Sequence, residues 1–153
     1  MKNNITGIIL AGGKSSRMGF EKGLAEFNSE TFVELVLNTM QPLAGKTMII
    51  SNSKAFNFLK APVYNDIHKG YGPLGGVITG LHHSKTEKNM IVAYDMPFVS
   101  GELLEYLAGQ SGNYDITVPV FKGEIEPLCG IYCKKTVSRL VQLLRNKILK
   151  MRD

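Results

Sequence analysis

The sequence predicts an α/β fold built around an open sheet. Short apolar runs alternate along the chain with segments that repeat apolar residues at helical spacing, an order typical of α/β proteins rather than of sandwiches or bundles. Glycine-rich and polar segments follow several of the apolar runs, where ligands bind in open α/β sheets. The 153 residues, 44% hydrophobic and 20% charged, suffice for one domain with a core and are too few for two.

The predicted elements follow from apolar periodicity and from helix-start signals. Thr31 and Glu34 form a capping-box pattern before the first helix, and Ser100 is placed to cap a later one. Strands are predicted at about 5–10, 46–51, 62–64, 90–94, 114–120 and 128–133, and helices at about 31–41, 54–59, 75–84, 100–109 and 134–150.

The positive charge is concentrated in the last twenty residues. Residues 134–153 hold seven of the basic residues and one acidic residue, in a chain whose net charge is +5. Apolar residues recur there every three or four positions, which predicts an amphipathic helix with a basic outer face. Because no aromatic residues lie among the cations, a solvated helix face is favoured over a nucleic-acid surface, and no nucleic-acid partner is expected.

The two cysteines are expected to be buried thiols. On one strand Cys129 and Cys133 would be about 13 Å apart, at roughly 3.3 Å per residue, too far for a disulfide. The C-x-x-x-C pattern also lacks the second pair that a zinc site requires. No run of about eighteen apolar residues and no cleavable leader occur, so a soluble cytoplasmic protein without a membrane partner is expected.

The segment 10–22 predicts a phosphate-binding loop. It follows the apolar run 5–10, and its paired glycines, Gly12 and Gly13, allow positive φ angles and close approach of a ligand to backbone N–H groups. The loop also carries three cations, Lys14, Arg17 and Lys22. This combination suits a nucleoside triphosphate.

A P-loop is excluded by spacing. That motif requires four residues between its first glycine and the Gly-Lys-Ser end, whereas Gly7 precedes Gly13 by six positions and would lie inside the first strand.

A dinucleotide fingerprint is excluded by context. The segment 70–75 fits G-x-G-x-x-G, and Asp95 lies twenty residues further on, but the glycines do not turn directly out of a first strand and Pro97 follows Asp95. We interpret the segment as a loop that leads into a helix from Gly76, with Pro73 fixing its entry.

Asp95 is the candidate metal ligand. It follows the apolar strand 90–94, which places its carboxylate at the edge of the sheet. Mg²⁺ is commonly held by one or two such carboxylates together with phosphate oxygens and water.

Four segments together resemble the molybdenum cofactor guanylyltransferases, a family of nucleotidyltransferases. Residues 10–19 read Leu-Ala-Gly-Gly-x-Ser-x-Arg-Met-Gly, with a lysine three positions on. Residues 72–76 resemble the family's Gly-Pro-Leu-Ala-Gly loop with one Ala-to-Gly departure, and Asp95-Met96-Pro97 resembles its metal-binding turn. Glu126-Pro127-Leu128 with Tyr132 resembles its later Pro-Leu segment.

The resemblance implies a three-layer, Rossmann-like nucleotidyltransferase fold with a mostly parallel mixed sheet, as a single domain over 1–153. It implies transfer of GMP from GTP to the phosphate of molybdopterin or Mo-molybdopterin, with release of pyrophosphate and with Mg²⁺ as cofactor. No side-chain nucleophile is needed for this chemistry, since the acceptor phosphate attacks.

Site residues are carried over by the same resemblance. The catalytic set is Arg17, Lys22 and Asp95, with Asp95 as the metal ligand. The nucleotide-binding set adds the backbone of Leu10, Ala11 and Gly12 around the guanine, Gly13 at the phosphates, and Asn52 and Asp66 at the nucleoside. The substrate-side set is Gly72, Pro73, Gly75, Gly76 and Pro127.

The chain departs from the family at its C-terminal end. Relatives continue for one more αβ unit that contributes to pterin binding, whereas this sequence stops at 150–153 within a helical pattern that shows no stop signal. We expect an open sheet edge and a partly uncovered helix face. The protein should therefore be less stable or self-associate, and we expect a monomer or a weak oligomer. Nucleotide binding should survive better than transfer.

Three functions remain open on the sequence alone. They are the guanylyltransferase, a related cytidylyl- or sugar-phosphate nucleotidyltransferase, and a non-catalytic GTP-binding module. The resemblance favours guanine as the base. Residues 10–13 read Leu-Ala-Gly-Gly, whereas cytidylyltransferases have a sequence similar to Leu-Ala-Ala-Gly at this point.

Overall fold

The computed structural model describes residues 2–12 and 24–152. The strands are β1 (Ile5–Leu10), β2 (Glu26–Phe27), β3 (Glu30–Thr31), β4 (Lys46–Ile50), β5 (Val63–Tyr64), β6 (Lys88–Ala93), β7 (Ile116–Thr117), β8 (Val120–Phe121), β9 (Glu124–Ile125) and β10 (Cys129–Cys133). The α-helices are α1 (Phe32–Met40), α2 (Gly72–His83), α3 (Gly101–Gln110) and α4 (Val137–Arg145).

The main sheet has six strands in the order β5-β4-β1-β6-β10-β7. The first four run parallel to one another, and β10 is antiparallel to both β6 and β7. The sheet is therefore mixed and mostly parallel, as the sequence predicts.

Helices cover both faces of this sheet, which makes three layers. Along β1, Ile5 and Ile9 belong to the core formed with α1 and α3, whereas Ile8 and Leu10 belong to the core formed with α2 and α4. Every residue of β1 is buried. Each fully buried isoleucine contributes roughly 1.5–3 kcal/mol through removal of apolar surface from water.

Local signals explain where α1 begins. The Thr31 hydroxyl accepts a hydrogen bond from the Glu34 N–H at 3.3 Å, and the Glu34 carboxylate accepts one from the Thr31 N–H at 2.8 Å. This confirms the predicted capping box. Ser100 likewise caps α3 by accepting from the Leu103 N–H at 3.1 Å.

The predicted helix 134–150 is too long at both ends, because Lys134–Thr136 is a 3₁₀ turn and α4 runs from Val137 to Arg145. Lys147 adopts the left-handed conformation with φ 57°. Its N–H donates to the Leu144 carbonyl at 3.0 Å, and the Ile148 N–H donates to the Leu143 carbonyl at 2.9 Å. This pair of bonds is a Schellman motif, which usually places glycine where Lys147 stands.

Other predicted bounds are corrected in the middle of the chain. The helix expected at 75–84 begins at Gly72, before Pro73, and the strand expected at 90–94 begins at Lys88. The helix expected at 54–59 is a single 3₁₀ turn, Lys54–Phe56.

The strand predicted at 114–120 divides into β7 and β8. Pro119 stands between them and has no N–H to donate, while its carbonyl accepts from the Glu126 N–H at 2.9 Å. The chain then forms the hairpin β8–β9, whose two loop residues, Lys122 and Gly123, have φ 52° and 82°. Positive φ at both positions identifies the type I′ turn, and Asn28-Ser29 makes the same kind of turn between β2 and β3.

Cys129 and Cys133 are free and buried on β10, as predicted. Among the described residues, no helix is long and apolar enough to cross a membrane. Location in the cytoplasm and organisation as a single domain stay predictions.

Candidate functional site

A cleft of about 760 Å³ lies at the carboxyl ends of β1, β4 and β6. Its lining combines strand ends, the start of α2 and one residue before β10: Leu10, Ala11, Gly12, Ile50, Ser51, Asn52, Ser53, Asp66, Gly70, Gly72, Pro73, Gly76, Ala93, Tyr94, Asp95 and Leu128. The fold therefore brings nine of the predicted site residues to one place: Leu10, Ala11, Gly12, Asn52, Asp66, Gly72, Pro73, Gly76 and Asp95.

Sheet topology explains why the cleft lies there. The chain passes from β1 through α1 to β4 on one side, and from β5 through α2 to β6 on the other side of β1. The direction of the connections thus reverses between β1 and β6, and such a switch point opens a crevice at the carboxyl edge.

Backbone hydrogen bonds fix the three strand ends relative to one another. The Ala11 N–H donates to the Ile50 carbonyl at 2.9 Å, and the Tyr94 N–H donates to the Leu10 carbonyl at 2.9 Å. The chain that leaves β1 is therefore flanked on both sides by strand ends of the sheet itself.

The glycine-rich turn is described only as far as Gly12. Leu10 and Ala11 are buried, whereas Gly12 is exposed and a Cβ added there would meet no atom of the described residues within 4 Å. Gly13, Arg17 and Lys22 lie outside the described residues, so their roles stay predictions.

Asn52 and Asp66 are joined by a hydrogen bond across the loops that follow β4 and β5. The Asn52 Oδ1 accepts from the Asp66 N–H at 2.9 Å. Asp66 is half-buried, and its Oδ1 accepts from the His68 N–H at 2.8 Å. The two residues expected at the nucleoside thus form one hydrogen-bonded unit.

Thr79, on α2, completes this unit. Its hydroxyl lies 2.9 Å from the Asp66 Oδ1 and is fully buried on α2. A threonine inside a predicted helix is an ordinary residue, and only the tertiary contact shows its partner. No sequence signal marked it.

Two glycines with positive φ turn the chain into α2. Gly70 has φ 85° and Gly72 has φ 62°, in a region that residues with a Cβ rarely adopt. Pro73 occupies the first turn of the helix, where its missing N–H is not needed. The N-terminal turn of α2 therefore lies at the cleft, where the positive end of the helix dipole suits an anion.

Gly75 and Gly76 differ in what they contact. Gly76 lines the cleft, and a Cβ there would come 3.2 Å from a Leu10 methyl group. Gly75 lies instead against the loop that carries Asp66, where a Cβ would come 2.6 Å from the His68 carbonyl oxygen. Gly75 permits the close packing of this loop on the helix.

Asp95 lies two residues beyond the end of β6. It is exposed in a turn closed by the Met96 N–H and the Ala93 carbonyl at 3.2 Å. In the part of the chain that the structure describes, no group of three or more His, Cys, Asp or Glu residues is placed to hold a metal ion. A lone exposed carboxylate fits a Mg²⁺ ion whose other ligands are phosphate oxygens and water.

Pro127 is buried and supports the wall rather than lining it. Its carbonyl accepts a hydrogen bond from the Tyr132 hydroxyl at 2.6 Å, and the next residue, Leu128, lines the cleft. Burial raises the pKa of Tyr132 well above its usual value, so the phenol is a neutral donor. Burial, together with Glu126, raises the pKa of the Cys129 thiol to about 11, which makes it a poor nucleophile at neutral pH.

Residues 7–152 match the model of the MobA-like NTP transferase domain. A probable molybdenum cofactor guanylyltransferase of Carboxydothermus hydrogenoformans is 40% identical over 149 residues, which cover 95% of this chain and 76% of that protein. A protein of the same description from Flavobacterium johnsoniae is 38% identical over 150 residues, with 97% of this chain and 79% of that protein covered.

Solved structures agree with the fold. Molybdopterin-guanine dinucleotide biosynthesis protein A of Archaeoglobus fulgidus superposes with a TM-score of 0.79 at 27% identity, over 95% of this chain and 76% of that one. A Mycobacterium tuberculosis protein solved in complex with manganese has the same fold, with a TM-score of 0.71 at 16% identity, over 94% of this chain and 77% of that one.

The sheet order, the cleft at its carboxyl edge and the match over nearly the whole chain lead to one conclusion: this chain belongs to the MobA-like NTP transferase family of nucleotidyltransferases.

Proposed function

We propose that this chain transfers GMP from GTP to the phosphate of molybdopterin, or of Mo-molybdopterin, and releases pyrophosphate. The relatives at 40% and 38% identity carry the name of this activity. The single observation that supports it in the chain itself is the cleft, which joins the glycine turn after β1, the Asn52–Asp66 unit and Asp95.

The nucleoside end of GTP is assigned to the described residues after β1, β4 and β5. The backbone of Leu10, Ala11 and Gly12 borders the guanine, whose ring edge carries both donors and acceptors for such contacts. Asp66 supplies an acceptor for a hydroxyl or N–H group, because only one of its carboxylate oxygens is engaged among the described residues.

The phosphates of GTP are assigned to the loop between β1 and β2. Gly13, Arg17 and Lys22 contact the triphosphate in this proposal, with Lys22 near the α-phosphate. Cations at this place stabilise the charge that develops on the transferred group and on the departing pyrophosphate. Gly72, Pro73, Gly75, Gly76 and Pro127 belong to the acceptor side.

Asp95 is the residue assigned to Mg²⁺. When bound, the ion neutralises charge on the phosphate oxygens and orients them for in-line displacement. Asp95 would supply the carboxylate oxygen that holds the ion at the end of β6. The backbone of Leu10 and Ala11 lines the same cleft.

The test is release of pyrophosphate from Mg·GTP with molybdopterin as acceptor. We expect turnover by the unmodified chain and a loss of at least about 100-fold in kcat for Asp95→Asn, equivalent to about 2.7 kcal/mol of transition-state stabilisation. Glu105→Gln is the matched control, because this carboxylate is exposed on α3 and does not line the cleft. Its activity should stay within about twofold of the unmodified chain.

Further arms of the assay separate the alternatives. Equal or better turnover of CTP would overturn the assignment of guanine, and faster transfer to a sugar phosphate would overturn the assignment of the acceptor. Binding of Mg·GTP without any release of pyrophosphate would show a binding module instead of an enzyme.

A further inference from the structure

The Thr79 hydroxyl is a buried junction between α2 and the loop that carries Asp66. Its side chain is fully buried, and its Oγ1 lies 2.9 Å from the Asp66 Oδ1, 3.2 Å from the Ile67 backbone nitrogen and 2.9 Å from the Gly75 carbonyl oxygen. One side-chain oxygen thus meets three polar groups, of which two belong to the loop.

The chemistry of these groups decides the direction of each bond. The Ile67 nitrogen donates to Thr79, so the hydroxyl proton is left for one of two acceptors. The Gly75 carbonyl is already the expected partner of the Thr79 N–H within the helix. The Asp66 carboxylate is the remaining acceptor, and the hydroxyl proton therefore goes to its Oδ1.

These bonds restrict the rotation of the Asp66 carboxylate. Its Oδ1 accepts from both Thr79 and the His68 N–H, whereas its Oδ2 has no hydrogen-bond partner among residues 2–12 and 24–152. The backbone of Asp66 is held separately, since its N–H donates to the Asn52 Oδ1 at 2.9 Å. Asp66 lines the cleft, and its carboxylate is consequently held there in one orientation.

We propose that Thr79 is a positioning residue for nucleotide binding, which acts by holding the Asp66 carboxylate in the orientation that receives the nucleoside. The inference rests on the proposed function for the identity of the ligand, GTP. Thr79 itself does not line the cleft.

The first test compares Thr79→Val, which removes the hydroxyl at nearly constant volume, with Thr79→Ser, which keeps it. We expect Thr79→Val to raise KM for Mg·GTP about tenfold, as loss of a hydrogen bond to a charged group predicts, with kcat within about twofold. Thr79→Ser should stay within about twofold in both. Thr39→Val is the matched control, because the Thr39 hydroxyl likewise lies within hydrogen-bond distance of the carbonyl one helical turn back, at 3.0 Å from Leu35, but on α1.

A double-mutant cycle shows whether Thr79 acts through Asp66. If it does, Thr79→Val adds little to the KM of Asp66→Asn, because the carboxylate that it orients is already altered. Fully additive effects would overturn the inference, and so would an unchanged KM for Thr79→Val or an equal loss for Thr79→Ser. Should Thr79→Val fail to fold, Thr79→Ala replaces it in the same cycle.

Amide hydrogen exchange separates this inference from the proposed function. Thr79→Val should speed exchange at the Ile67 and His68 amides, since the first loses its acceptor and the second depends on the oriented carboxylate. If the unmodified chain releases no pyrophosphate, the proposed function fails, yet faster exchange in Thr79→Val and not in Thr79→Ser still supports the positioning role. Unchanged exchange at both amides would overturn it.

Discussion

Gly75 shows how one missing side chain supports the site at the residue scale. Helix α2 and the loop 66–68 approach so closely that a Cβ at position 75 would come 2.6 Å from the His68 carbonyl oxygen and 3.3 Å from the Asp66 Oδ2. The first of these neighbours is backbone and cannot rotate away. Packing of the Asp66 loop therefore depends on glycine at this position.

Gly75→Ala should destabilise the protein although it replaces glycine inside a helix. The gain in helix propensity, about 0.5–1 kcal/mol, is smaller than the strain of an overpacked contact, roughly 1–3 kcal/mol. We expect a net loss of about 1–2 kcal/mol in the free energy of unfolding in urea, together with a raised KM for GTP.

Gly109→Ala is the control for this substitution. Gly109 is also helical, in α3, but a Cβ there would meet no atom within 4 Å. It should therefore gain about 0.5–1 kcal/mol from propensity alone. A Gly75→Ala protein as stable as Gly109→Ala would show that the loop yields without strain.

Residues were predictable where their signal is local. Gly12 and Asp95 follow apolar strands, and the end of a strand is visible in the sequence. Thr79 was not predictable, because its partner Asp66 lies thirteen positions away and the contact exists only after α2 docks on the sheet. Gly75 was predicted at the substrate side, and its contact with the Asp66 loop likewise depends on tertiary packing.

At the scale of elements, α4 ends at an unusual residue. Lys147 holds the left-handed position of a Schellman motif with φ 57°, which costs a residue with a Cβ roughly 1 kcal/mol relative to glycine. The apolar repeat continues to Ile148, and lysine is not a stop signal. Periodicity therefore predicted a longer helix than the backbone makes.

Lys147→Gly should stabilise the protein by about 0.5–1 kcal/mol, because the motif keeps its two hydrogen bonds while the strain of the side chain is removed. The measurement is the midpoint of urea unfolding at an unchanged m-value. Lys150→Gly, outside any helix, should not gain stability. Equal gains in both variants would contradict an effect of the left-handed position.

Among the other elements, those with a strong local signal were predicted and those with a weak one were missed. The capping box placed the start of α1 within one residue, since both of its partners lie within one turn of chain. The hairpins β2–β3 and β8–β9 were missed, because Asn28-Ser29 and Lys122-Gly123 are weaker signals of a type I′ turn than Asn-Gly or Asp-Gly.

At the scale of the whole molecule, the buried thiol of Cys129 couples stability to alkaline pH. Burial, and then Glu126, raises its pKa from 9.0 to about 11 in the folded protein. Below pH 9 both states hold the proton, and the thiol has no effect. Between pH 9 and 11 the unfolded state releases the proton and the folded state keeps it, which favours unfolding.

The free energy of unfolding should therefore fall as pH rises from 9 to 11. Urea titrations of the unmodified chain and of Cys129→Ala measure this, and the variant should lose part of the decrease even if it is less stable at neutral pH. Parallel curves for the two proteins would show that this thiol does not contribute. The thiol should also resist alkylation at neutral pH until the protein unfolds.

The order of strands carries a consequence for how the enzyme is made. Because β1 is central, it must register with residues 46–50 on one side and with 88–93 on the other, and Ile5 pairs with Lys88. A nascent chain synthesised only through α2 has the turn after β1 but lacks the opposite wall with Asp95. In the proposed function, GTP therefore has both walls of its site only after this distant pairing, and we expect GTP present during synthesis to favour the finished fold over the partial ones.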